Sequence, residues 1–269
     1  MNPIAISSYA RTLRAVLPAD AFAPVPSRLL WLAIYLPLII ASTVATALGW
    51  GGWPVRLALS LIIGHSFAGI AFVGHELLHG AIVRSRPLRY LFGWLCLLPF
   101  NISPRLWIAW HNRVHHGHTM KEGVDPDAYP TLRAYRQSRR LRAADYLAPA
   151  LGRWLGFISL VLGFTIQSQQ VLLGQGRSAG YLSPRQYRAA VLETLLGVAV
   201  WAGLGWLIGP VPFVFAFVIP LLVANVVVMS YILTNHSLSP LTETNDPLLN
   251  TLTVTTPRIF SLLHLNFGM

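Results

Sequence analysis

Between Thr194 and Thr242 the chain carries no Asp, Glu, Lys or Arg. A helix crosses a bilayer with about 20 mostly apolar residues, so this stretch is long enough to cross twice. Gly209-Pro210 interrupts it, and the break predicts spans near 191–208 and 211–233. The N-terminal half repeats the design. Residues 29–48 are uncharged, a second apolar run covers about 55–75, and the Gly49–Pro54 turn between them carries Trp50 and Trp53 at interfacial positions. Two helical hairpins therefore bracket a polar middle, 76–190, and a tail, 234–269, follows the second.

Composition agrees. Hydrophobic residues make up 54% of the chain and charged residues 11%, against about a quarter in soluble domains, so too few charges exist to cover a soluble surface. A disulfide scaffold is excluded, because Cys96 is the sole cysteine. The net charge of +11 comes almost entirely from arginine. Nucleic-acid binding would also use such a charge. The basic residues, however, concentrate between Arg84 and Arg153, flanked by the apolar runs, and this pattern marks the cytoplasmic face of a membrane protein. With four spans, every basic residue except Arg56 falls on one side. The expected fold is an all-α integral membrane protein. It has about four transmembrane helices in two hairpins, a helical cytoplasmic histidine-rich region and an N-terminal cytoplasmic segment, 1–27. Two segments resist the scheme. Residues 154–176 hold an apolar run that stops at Ile166 before the polar cluster Gln167–Gln170, and 91–100 is short. Both suit interfacial or re-entrant helices.

Six of the nine histidines lie between His75 and His118. Ionisable groups at membrane borders are costly and usually functional. His75 and His79 are four apart, so on a helix both imidazoles share one face and can grip one metal. With Glu76 they also form the HExxH pattern of zinc proteases. His111 and His115 repeat the spacing, and His116 points about 100° further round. His118 is open between ligand, supporting group and solvated neighbour. Five imidazoles in two sets exceed the needs of one tetrahedral zinc, whereas two metals would use the surplus. Imidazole alone admits Zn, Cu, Fe or Ni.

The segments GHELLHGAIV and WHNRVHHGHTMKEGVDPDAYP resemble the first two histidine boxes of the membrane-bound fatty acid desaturases. Gly123, Asp125, Pro126 and Asp127 are the turn that follows the second box. YILTNHSLSPLTETNDPLLNTLTV resembles the region before the third box, and LLHLNFGM its lead-in. The resemblance implies four membrane spans and two iron ions held by histidines on the cytoplasmic face. It also implies O2-dependent insertion of a double bond into an acyl chain. Carried over residue by residue, it implies the ligands His75, His79, His111, His115, His116 and His236. The third box, HxxHH, is not found downstream of His236, and His264 alone does not replace it. A chain ending at Met269 is expected to be a truncated member with an incomplete di-iron site.

Breaking an unactivated C–H bond is beyond any side-chain acid or base, so metal-activated oxygen must carry it. The chain has no GxGxxG fingerprint, no haem-binding His-Pro-Gly-Gly and no cysteine cluster. Electrons must then come from an external ferredoxin or cytochrome-type donor. Arg133, Arg136, Arg139, Arg140 and Arg142 are first of all cytoplasmic markers or lipid-headgroup contacts, and secondarily a docking face for an acidic donor. The expected setting is a bacterial inner membrane, with a lipid acyl chain as substrate. Three other functions use the same residues: a di-iron hydroxylase or ketolase, an inactive family member, and a zinc metalloprotease built on His75, Glu76 and His79.

Overall fold

The computed structural model describes residues 4–145, 156–175, 180–236, 239–252, 255 and 257–263. Among these residues all regular structure is helical. An amphipathic helix, α1 (Ile6–Val16), buries none of its residues. A 3-10 turn over Pro26–Trp31 leads into α2 (Leu32–Ala47), and Gly49–Gly52 reverse the chain into α3 (Gly52–His79). After α4 (Arg86–Leu97) and the short α5 (Pro104–Trp107), a widened π-type turn carries Ile108–His115. Two short helices, Leu132–Gln137 and Arg139–Asp145, follow, and later in the chain come α6 (Gly156–Gln170), α7 (Pro184–Ile208) and, after a helical turn that starts at Pro210, α8 (Ile219–His236).

The expected hairpins are present. Gly209, at φ +83°, is the single residue between the end of α7 and the helical turn at Pro210. Ser183 opens α7 with a capping box that Gln186 completes, so this helix begins seven residues before the apolar run. By length and composition the helices over Pro26–Ala47, Gly52–His79, Pro184–Ile208 and Pro210–Asn235 can cross a membrane. Gly156–Gly174 is a fifth that meets the same measure. The helix continues through the Gln167–Gln170 cluster because the glutamine amides find partners. Gln167 Nε2 donates to Asp127 Oδ1 at 2.6 Å, and Gln169 Nε2 donates to the Asn101 carbonyl at 3.2 Å. The short 91–100 segment belongs to a helix pair, Arg86–Phe100 and Pro104–His115, bent by 96°.

Helix α3 is the hub of the core. Gly64, Gly69 and Gly74 are five residues apart, so each is turned about 140° from the last and opens a different face. A Cβ on Gly64 would sit 2.6 Å from Val223 Cβ and 2.8 Å from the Pro220 carbonyl oxygen. On Gly69 it would meet the Tyr35 ring, and on Gly74 the Cβ of Cys96. Small residues permit such close helix approach where no hydrophobic effect drives association. Ser60 bonds the Phe215 carbonyl at 2.6 Å, and Phe72 meets Tyr231 edge-on at 5.1 Å. Contacts therefore ascend both segments together, α3 and α8 run parallel, and the last turns of both helices arrive at the same end of the bundle. Gly64→Leu is expected to separate them. Because one obstacle is backbone, the cost should reach or exceed the usual 1–3 kcal/mol of overpacking, about 3 kcal/mol or more. A lowered midpoint of thermal unfolding in detergent checks it.

Candidate metal centre

The site is assembled from the last turn of α3 and the π-type turn after α5. A Schellman-type stop ends α3 immediately after His79. Gly80 takes φ +83°, its N–H reaches the Leu77 carbonyl, and the Ala81 N–H reaches that of Glu76 at 3.1 Å. His75 and His79 thus stay on a rigid terminal turn, with ring centroids 4.5 Å apart.

The second histidine set is brought in by the 96° bend. Asn101 sits at the bend with φ +60°. Ser103 caps the new helix by accepting from the N–H groups of Arg105 and Leu106, and its hydroxyl donates to Glu193 on α7. Arg105 forms an ion pair with the same carboxylate, and Trp94 Nε1 donates to the Glu193 carbonyl at 3.1 Å. Trp201 Nε1 donates to the Leu98 carbonyl at 2.9 Å. Helix α7 thereby braces the bend. From the other side, Asn112 Nδ2 donates to the Leu78 carbonyl at 3.0 Å, tying the second set to the first.

The outcome is convergence. His75 Nε2 lies 3.0 Å from His111 Nε2, and His116 Nε2 lies 3.2 Å from the same atom. His75, His79, His111 and His116 offer nitrogens all within 4.8 Å of one another, and His111, His115 and Asp127 form a second such set. Two imidazoles bound to one ion at about 2.1 Å hold their nitrogens about 3.0–3.4 Å apart in right-angle to tetrahedral geometry. The observed spacings fit that requirement. The first set fits one ion, and the second, sharing His111, offers an adjoining position. Trp107 stacks on His111 at 4.3 Å and fixes its ring plane.

On two of these histidines, His115 and His75, the nitrogen facing away from the centre meets a carboxylate. His115 is buried, and its Nδ1 lies 2.9 Å from Asp125 Oδ1 and 3.4 Å from Asp127 Oδ2. Asp125 also accepts the N–H of Met120 at 2.8 Å and of Asp127 at 3.0 Å. His75 Nδ1 lies 3.3 Å from Glu76 Oε1. Such partners set which nitrogen keeps its proton and leave the other free to ligate. Burial pushes the Asp127 carboxyl up to about 6, and the neighbouring His115 pulls it the other way.

Five of the six expected ligands therefore meet. His236 ends α8, but its side chain, like His264, lies outside the described residues. His118 is exposed and apart from both sets, with Nδ1 3.2 Å from the Val114 carbonyl. Asp127, Gln167, Asn112 and Arg28 were not among the expected site residues. The glutamine cluster inside an apolar run was the legible sign of Gln167. Nothing in the sequence pointed to Arg28.

A cavity of about 470 Å³ opens onto the imidazoles. Ala71, Phe72 and Val73 of α3 and Val228, Tyr231 and Ile232 of α8 give it apolar walls. Phe67, one turn earlier on α3, packs against Trp201 and Phe217.

Residues 51–269 match the family described as fatty acid desaturase. The chain belongs to the fatty acid desaturase family. Both histidine sets and the cavity walls named above fall inside the match, whereas Arg28 and the helix it introduces precede it. Among curated proteins the chain is similar to the sn-1 acyl-lipid omega-3 desaturase (ferredoxin) of Synechocystis sp., at 31% identity over 118 residues. That alignment takes in 44% of this chain and 33% of the relative, so the match spans a third of the relative's length.

Proposed function

We propose that this desaturase-family protein is a membrane oxidoreductase that inserts a double bond into the acyl chain of a lipid. We assign it two non-haem irons, held by His75, His79, His111, His115, His116 and His236. The observation that carries the reading is the meeting of the converged imidazoles with an apolar cavity. An acyl chain needs such walls, and a non-haem iron needs such a donor set. The family match and the similarity to an acyl-lipid enzyme favour a lipid substrate.

The chain's own residues bind, orient and exclude water. Phe72, Val228 and Ile232 receive the methylene chain. Trp107 and the carboxylates Asp125 and Glu76 orient the imidazoles. When bound, the iron centre supplies the activation of O2 that C–H cleavage requires. Two hydrogens leave the substrate, and an external one-electron donor of iron–sulfur or haem type supplies two electrons. With two protons, these reduce O2 to two waters. No dinucleotide or haem motif in the chain supplies the electrons, and the similar Synechocystis enzyme carries ferredoxin in its name. The predominance of arginine in 76–190 supports a cytoplasmic metal site. Glu76 faces Arg28 and the back of His75, which gives it an orienting role in place of the general base of a metalloprotease.

Expression in a bacterium that makes only saturated chains, followed by mass spectrometry of the lipids, tests the activity. A product lacking two hydrogens supports desaturation, and a product gaining oxygen replaces it with hydroxylation or ketone formation. Iron and zinc per polypeptide test the centre. Bound iron is expected, whereas stoichiometric zinc without iron overturns the di-iron reading.

A further inference from the structure

The N-terminal entry turn reaches the metal centre from outside the family match. Arg28 Nη1 donates to Glu76 Oε2 at 3.0 Å, and the other oxygen of that carboxylate, Oε1, lies 3.3 Å from His75 Nδ1. The two oxygens of Glu76 thus face two partners, and the His75 Nε2 opposite points into the converged set, 3.0 Å from His111 Nε2. The turn is pinned to the same place by backbone. The Val25 N–H donates to the Ala81 carbonyl at 2.8 Å, two residues beyond His79. Further towards the N-terminus, the segment also reaches the second histidine set. Ile4 N–H and Tyr9 Oη donate to the Asp246 carboxylate at 2.7 and 3.2 Å, and the Ile6 N–H donates to the Asn245 carbonyl at 3.1 Å. Asn245 Nδ2 in turn donates to the His116 carbonyl at 2.6 Å.

We propose that Arg28 is a positioning residue of the metal centre: through Glu76 it holds the His75 ring in the orientation that presents Nε2 to the metal. The inference rests on the reading of His75 as a ligand. Without Arg28, a Glu76 side chain at the cavity rim is free to turn to water, and the His75 N–H loses its fixed acceptor. The partner on the far nitrogen of a ligating histidine is generally worth about 10–100-fold in metal affinity. Arg28 acts one bond further out, so the lower end, about tenfold, is expected for its loss.

The test uses the full chain in detergent, with Co(II) as the probe. Its affinity is measured by competition with a chelator, and its visible absorption reports ligand geometry. Arg28→Gln should weaken Co(II) binding about tenfold and alter the spectrum, with an unchanged unfolding midpoint for the metal-free protein. Glu76→Ala should do at least as much, and the double variant should match Glu76→Ala alone, because both residues act on one ring. Among the described residues Arg28 is engaged through Nη1 alone, so Arg28→Lys should restore binding to within about threefold of the unsubstituted chain. Unchanged affinity in Arg28→Gln, or fully additive losses in the double variant, overturns the proposal. If Arg28→Gln does not accumulate, Arg28→Lys decides: near-native affinity and spectrum support the role, and a tenfold loss overturns the single-bond relay. A native chain that binds no Co(II) overturns the metal-centre reading itself, and the two failures are thereby told apart.

Discussion

His111→Ala is expected to abolish metal binding. His111 is common to both donor sets, with Nε2 3.0 Å from His75 and 3.2 Å from His116. Its removal leaves three imidazoles in the first set and takes the shared donor from the second. Loss of a central ligand should exceed the 10–100-fold typical of outer partners, so affinity should fall more than about 100-fold. Purified protein should then retain under about a tenth of its iron. The ring also stacks on Trp107, so some stability is lost as well, and the metal-free unfolding midpoint separates the two effects. His118→Ala is the matched control. Its ring is exposed and outside both sets, so iron content should hold. Equal iron in His111→Ala and the unsubstituted chain would remove the convergence of imidazoles as the basis of the site.

Asp125→Asn should have the second largest effect, although this residue need not touch metal. Asp125 is buried and accepts from three donors: His115 Nδ1 and the backbone N–H groups of Met120 and Asp127. An amide keeps the shape but replaces one acceptor oxygen with a donor. If its NH2 faces His115, the imidazole must accept at Nδ1 and carry its proton on Nε2, where it blocks ligation. If its NH2 faces Met120, two donors confront each other in a buried site, at about 1–3 kcal/mol. Metal affinity should therefore fall about 10–100-fold and stability by about 1–3 kcal/mol. Chelator competition together with thermal unfolding, with and without metal, measures both. An affinity within error of the unsubstituted chain would show that Asp125 braces the loop without governing His115.

The two determinants of His115 differ in how far the sequence revealed them. The His111–His115 spacing announces a shared helix face wherever the helix happens to lie. Asp125 was visible only as a member of the turn after the second box. Its contact with His115 depends on the chain folding back ten residues later, a closure that no periodicity encodes. Glu193 shows the same limit. In the sequence it merely precedes the uncharged stretch, yet in the fold it braces the bend through Ser103 and Arg105. The Gln167–Gln170 cluster counted against a continuous helix when its side chains had no visible partners. Asp127 and Asn101 supply those partners from distant segments.

The sequence by itself determined the membrane character, the two hairpins with their break at Gly209-Pro210, and the two pairs of histidines at one-turn spacing. These are local properties. A bilayer demands uninterrupted apolar runs and satisfied backbone groups from each segment on its own, and a helix converts spacing directly into a face. The tertiary structure alone decided how the two pairs meet: a 96° bend braced by α7 brings His111 to His75, and Arg28 stands behind Glu76. Those outcomes depend on contacts between residues tens of positions apart. Their energies arise only once the helices have packed.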